Sequence, residues 1–360
     1  MKKYILIILF FFAFRAQSTE QVEYVSVKGS VTSPPVETLV DYPCLEECLE
    51  LTMYTESEIP FSDDIPDTLS PQEFTYAGYP RTTLMGTAAL KKTSIKKTPF
   101  YVLTGTYAAA ITALHIYQVN TIWDSTSSFR FIEDGNYGLY VDKLGHFWGG
   151  YLNAYILSEF LMGSGLSHEA ATNWGAAMSF TYQAYVEILD GFGTNWGFSP
   201  SDMISNIAGI GFFLGQHYWP FLQNFTPKGN YFPPSWFGSN SRQASSSFID
   251  DYSGYTFMLS ANIHNLLPNS IASYWPKWLN LGIGYTARNL IFKNGDRKYL
   301  LGLDITPAMV LPDGPPFWNW IKQSLNYILL PLPTIEFSDK EGPKFNLFYP
   351  FRITIGNVHF

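Results

Sequence analysis

The rhythm of apolar and polar positions changes twice along this chain. From Phe100 to Trp123 there is no formally charged residue, and three further stretches, at about 142–163, 168–190 and 200–222, also read as helices. Lys91-Lys92 and Lys96-Lys97 precede Pro99, and a proline there suits a first helical turn. Small residues recur at helical spacing, as in Gly145/Gly149 and Gly211/Gly215, which lets helix backbones approach closely. The pattern predicts a compact bundle of about four or five helices over 91–224. Pro233-Pro234, then Ser235 to Ser247 with Gly238, mark a linker over 225–250. Beyond it the period becomes two. Tyr255 to His264, Trp278 to Arg288, Lys298 to Thr306 and Phe351 to Phe360 alternate as half-buried strands do. Trp318 to Leu330 reads as a helix stopped by Pro331-Leu332-Pro333, with a strand from Thr334 to Phe337. The last strand ends on Phe360 and looks like an outer-membrane barrel strand. A closed barrel needs about eight strands and the pattern supplies about five, so a small antiparallel sheet packed on the bundle is expected. The fold class is therefore α+β.

The N-terminal quarter has a different character. Lys2 and Lys3, an apolar run from Tyr4 to Phe14, and small residues around Ala16-Gln17-Ser18 have the layout of a secretory signal peptide over 1–18. Residues 19–90 are punctuated by Pro34, Pro35, Pro43, Pro60, Pro66 and Pro71 and carry acidic clusters. They read as an irregular acidic arm. Its two cysteines, Cys44 and Cys48, are the only ones in the chain. Export places them in an oxidising space, where a small Cys44–Cys48 disulfide is the expected use, since metal binding needs more ligands than this pair. The remaining β-rich region spans 251–360.

Composition sharpens the picture. Charged residues make up 14% and aromatic residues 18% of the 360-residue chain. An ordinary soluble protein has about a quarter charged. Scarce charge with abundant Trp, Tyr and Phe points to contact with a membrane or a large apolar partner. The formal net charge of −8 and the lack of a basic, aromatic-interleaved stripe exclude nucleic acid as a partner. The helical run at Phe100–Trp123 is long enough to span a bilayer. However, export would leave the lysine cluster before it on the outer side, against the positive-inside rule. A bundle outside the inner membrane, leaning on the outer membrane, fits better.

Candidate chemistry is concentrated in the helices. Asp142 and His146, Glu187 and Asp190, and Asp202 and Asn206 are pairs at helical spacing in apolar surroundings, with Lys143 between the first two. Such groups are costly there unless they pair, bind a ligand or do chemistry. Asp142 beside His146 suits tautomer control for a base or a metal ligand. The same pair also suits a helix start and a hydrogen-bonded core histidine. Glu187 and Asp190 are close enough to raise one pKa or attract a cation, and His146, Glu187 and Asp190 form a candidate metal set. Asp190-Gly191 reads equally well as a helix stop. Ser199-Pro200-Ser201-Asp202 has the form of a helix start, with Ser199 as cap.

Asp142-Lys143-Leu144-Gly145-His146-Phe147, Glu187-Ile188-Leu189-Asp190-Gly191, and Trp196-Gly197-Phe198-Ser199 with Asp202, Asn206 and Gly209 together carry a resemblance. The set looks like the YfiM-like family of predicted periplasmic lipoproteins, a domain of unknown function. More distantly it is similar to VanZ-like membrane proteins, which share the Asp-Lys…His, Glu, Asp…Asn order. The likeness covers about residues 95–222. It implies an exported envelope protein and brings no reaction with it. The chain departs from the family in having no evident lipid-attachment cysteine.

Three functions remain open from the sequence. One is a non-catalytic envelope protein, docked on the outer membrane or on an outer-membrane protein. The second is an enzyme acting on an envelope lipid or glycan through His146 and Glu187 or Asp190. The third is a VanZ-like polytopic inner-membrane protein. Catalytic candidates are Asp142, Lys143, His146, Glu187, Asp190, Asp202 and Asn206; no cofactor is indicated.

Overall fold

A computed structural model describes residues 67–242, 247–291, 294–351, 354–355 and 358–359. The signal peptide, the Cys44–Cys48 pair and the arm as far as residue 66 lie outside the described residues. The architecture is α+β. Four long helices come first: α1 (Lys97–Thr121), α2 (Val141–Gly163), α3 (His168–Phe192) and α4 (Pro200–Tyr218). A six-stranded antiparallel sheet follows, in the order β1 (Phe225–Tyr231), β2 (Tyr255–Ala261), β3 (Leu279–Ile291), β4 (Asn294–Ile305), β5 (Thr334–Ser338) and β6 (Lys344–Asn346). One further helix of more than a single turn, α5 (Pro316–Ser324), lies between β4 and β5; one-turn helices occupy Ile263–Leu266, Asn269–Ala272 and Pro307–Val310. No helix among the described residues is long and apolar enough to cross a membrane.

Local chemistry sets the helix starts. The Ser167 hydroxyl accepts the Ala170 N–H at the head of α3. Ser199 does the same for Asp202 at the head of α4, with Pro200 in the first turn. The entry to α2 has no such cap. It is a turn in which Gly138, Leu139 and Tyr140 all have left-handed backbone (φ 53°, 53° and 73°). Left-handed Leu and Tyr are strained and persist only where packing holds them. Here Leu139 is buried against Ala287 and Leu290 of β3, and the Tyr285 hydroxyl donates to the Leu139 carbonyl at 2.7 Å.

Helices α2, α3 and α4 meet at glycines. A Cβ on Gly209 of α4 would lie 1.9 Å from the Phe147 carbonyl oxygen of α2. One on Gly175 of α3 would lie 2.7 Å from the Ser158 nitrogen. The bundle core then fills with Tyr151, Tyr155, Ala176, Ile210, Phe213 and Tyr327, with Tyr155 stacked on Tyr327 at 4.0 Å. The small-residue pairs expected from sequence are not the contact points: Gly211 has open space around its Cβ position.

Two expected boundaries change. From Asp67 to residue 90 the chain is packed on the bundle rather than being a free arm. Phe74, Leu84 and Ala89 are buried, and Arg81 pairs with the fully buried Glu159 of α2. The stretch 225–250, expected to be a linker, begins with strand β1. Its Pro227 and Gly229 resemble loop residues, but β1 is an edge strand, where a missing N–H is tolerated. At the far end, Thr354–Ile355 pairs with Val358–His359, so the described part of the last segment is a short hairpin and not one strand.

The sheet is curled. Lys228 on β1 and Asp304 on β4 are three strands apart, roughly 14 Å in a flat sheet. Their Nζ and Oδ2 atoms nevertheless meet at 2.6 Å.

Candidate functional site

The heads of α2 and α4 and the tail of α3 bring the polar motifs to one place. Asp142 and Lys143 lie in the first turn of α2, and His146 is one turn further along. Glu187 and Asp190 belong to the last turns of α3, and Asp202 and Asn206 to the first turns of α4. Glycine contacts draw these helices close enough for the groups to touch. Asp142, Glu187, Asp202 and Asn206 are all buried.

Lys143 is the hub. Its ammonium donates to Asp134 Oδ1 at 2.6 Å, to Asp142 Oδ2 at 2.5 Å and to Asp202 Oδ1. His146 sits beside it, one turn along α2, with its side chain 20% exposed. Its Nδ1 is 3.3 Å from Asn206 Oδ1 and 3.4 Å from Glu187 Oε1. Its Nε2 is 3.5 Å from Asp142 Oδ1 and 3.6 Å from Asp202 Oδ1. Glu187 in turn accepts the Ser199 N–H at 3.4 Å and the Asn206 side-chain amide at 3.5 Å. Asp190 is turned aside and accepts the Trp123 indole N–H at 2.6 Å.

The electrostatics follow from burial and crowding. Burial alone would lower the His146 pKa, but Asp142, Asp202 and Glu187 outweigh it and raise it to about 10. Burial opposes ionisation of Asp142 as well. His146 and Lys143 overcome that and hold its carboxyl well below the usual range. Burial dominates for Glu187, pushed up to about 8, and for Asp190, pushed up to about 7. Asp202 rises to about 6, chiefly through burial, with Asp142 adding to it and His146 and Lys143 opposing it. The cluster thus favours the charged forms of Lys143, His146 and Asp142, while burial disfavours ionisation of Glu187 and Asp202.

The sequence-predicted residues thus converge, apart from Asp190, which is bound to Trp123. Ligand atoms of Asp142, His146 and Asp202 lie within 4.8 Å of one another, a group able to hold a cation. That set differs from the His146, Glu187 and Asp190 set expected from spacing. Lys143 already places a positive charge on two of its members. Two contributors escape sequence reasoning. Asp134 sits in an Asp-Gly-Asn stretch that reads only as a turn, yet it accepts from Lys143 and from the Ser199 hydroxyl at 2.6 Å. Trp123 ends an apolar run and gives no sign that its indole serves a carboxylate.

The cluster lies within a segment that matches a family model. Residues 130–214 match the family model described as predicted periplasmic lipoprotein (DUF2279). The match starts just before Asp134 and runs past Asn206, so it spans the cluster from its first carboxylate to its last amide. It supports an exported, periplasmic protein of unknown activity. No curated protein and no solved structure matches the chain.

Beside Lys143 an apolar groove of about 460 Å³ opens between α2, α4 and the sheet. Tyr140, Phe147, Ile204, Tyr285 and Tyr299 line it, with Arg297 at one side.

Proposed function

We propose that this is a non-catalytic component of the cell envelope that docks on the outer membrane, with its three central helices pinned by the Lys143–His146 carboxylate network. One observation carries the reading: both cations are saturated by partners from the chain itself. A general base needs a lone pair aimed at substrate. Its carboxyl neighbours raise the His146 pKa to about 10, which disfavours a free lone pair, and both its nitrogens face carboxyl groups of the chain, Asp142 and Glu187. The family description supports the envelope location. Cell fractionation tests the docking: the protein should sediment with outer membranes, and recovery wholly in the soluble fraction would overturn it.

The groove beside Lys143 favours a second reading, an enzyme acting on an envelope lipid or glycan. In it Lys143, which lines the groove, meets the substrate, and Glu187, buried behind it with a raised pKa, is the acid. Glu187→Gln separates the two. It keeps the shape and the neutral state, so a non-catalytic protein retains both its unfolding midpoint and its cellular phenotype. An unchanged midpoint with a lost phenotype would support the enzyme instead.

A further inference from the structure

The sheet is built inside out relative to a soluble protein. On its concave face lie Lys228, Arg288, Asp296, Lys298, Asp304 and Glu336, together with Thr226, Ser260, Asn280 and Asn346. Some of these groups pair within the fold, Lys228 with Asp304 at 2.6 Å and Lys298 with Glu336 at 3.0 Å. Four buried polar atoms there, Asn230 Oδ1, Asn280 Oδ1, Asp304 Oδ1 and Asn346 Nδ2, have no hydrogen-bond partner among the described residues. Such atoms call for a hydrated interior.

The convex face is the reverse. One register row, Leu259, Ile283, Leu301, Ile335 and Phe345, runs across five strands, and each member is between 38% and 64% exposed. The next row is aromatic: Phe257 is buried under Trp148 of α2 and the Tyr285 hydroxyl is bound to the Leu139 carbonyl, so the bundle covers that end, whereas Tyr299 and Phe337 are exposed. Arg297, beyond it, is the only charged residue on this face among the described strand positions. At the opposite end, exposed Tyr274 and Trp278 precede β3.

We infer that the exposed part of this convex face is seated against lipid acyl chains, with Tyr299 and Phe337 toward the headgroups. The inference rests on the outer-membrane docking proposed above and names the surface that makes it. Polar-in, apolar-out alternation with a single charged residue on the apolar side is what lipid selects on a strand wall. A protein partner does not require a uniformly apolar row. Leaving this many large apolar side chains in water is costly.

The test uses the full chain with Cys44→Ser and Cys48→Ser. Single cysteines are introduced as Ile283→Cys, Leu301→Cys or Ile335→Cys, and Lys92→Cys, whose native side chain is 73% exposed, serves as the water-facing reference. Each is labelled with an environment-sensitive fluorophore. Each is then mixed with phosphatidylethanolamine–phosphatidylglycerol vesicles whose acyl chains carry nitroxide. The protein should float with the vesicles, and the three sheet positions should be quenched several-fold more than position 92. Flotation without quenching at the sheet overturns the inference and leaves docking intact. Failure to float overturns both. Lipid-independent protection of the sheet labels with copy-to-copy cross-linking through position 301 assigns the face to a second copy and also overturns it. Leu301→Lys should lower vesicle partitioning about thirty-fold, as expected for a lysine near the hydrocarbon centre; unchanged partitioning counts against a lipid-facing wall.

Discussion

At the scale of single residues, Lys143 has the largest leverage. It neutralises parts of three carboxylates while its own side chain is only 11% exposed. Lys143→Ala leaves Asp142 and Asp202 buried without their main cation, and should cost about 3–5 kcal/mol in a urea or guanidinium titration. His146 gives the cluster its pH dependence. The folded-state pKa values of His146 (about 10), Glu187 (about 8) and Asp190 (about 7) all exceed their ordinary values. A raised folded pKa gives stability that is full below the unfolded pKa and lost as pH rises through the folded one. The denaturation midpoint should therefore fall steadily from about pH 6 to pH 10. His146→Gln should flatten the upper part of that fall, because it removes the group titrating nearest pH 10. Asp142 acts in the opposite sense, since its lowered pKa makes acid below its ordinary range destabilising. A midpoint that rises between pH 6 and pH 10 would contradict the assignment of these partners.

At the scale of elements, the contacts between α2, α3 and α4 depend on backbone approach. Gly209→Ala gains helix propensity of about 1 kcal/mol but drives a methyl into the Phe147 carbonyl. A net loss of about 1–3 kcal/mol is expected, and the polar cluster should loosen with it because Asn206 sits one turn away. Gly211→Ala, two residues on and exposed with nothing within 4 Å, should instead stabilise by about 0.5–1 kcal/mol. Thermal denaturation of the two variants side by side checks the contrast. The helices themselves were legible from the chain: capping by Ser199 with Pro200 behind it, and apolar runs of helical length, are local signals. Which glycine touches a neighbour was not, because Gly209 and Gly211 differ only in the face they present, and that depends on where α2 lies.

At the scale of the whole molecule, a buried ion pair ties β1 to β4 across the sheet. Lys228→Ala leaves Asp304, which is fully buried, without its cation and should destabilise by about 3–5 kcal/mol. The double variant Lys228→Met with Asp304→Leu should recover most of that loss, since it removes both charges from the interior together. Chemical denaturation of the single and double variants measures the difference directly.

What the chain alone determined is local in origin. Apolar spacing, caps and period-two alternation marked the helices and most strands, and polar residues in apolar helices marked Asp142, Lys143, His146, Glu187, Asp202 and Asn206 as members of one centre. Only the tertiary structure decided the rest. It recruited Asp134 from a turn and diverted Asp190 to Trp123. It made an edge strand of Phe225–Tyr231 despite its proline and glycine, and it turned the polar side of the strands inward. Alternation in a strand tells that two faces differ, and not which one meets the interior. That choice belongs to contacts between residues far apart in the chain, such as Lys228 with Asp304, which no local window contains.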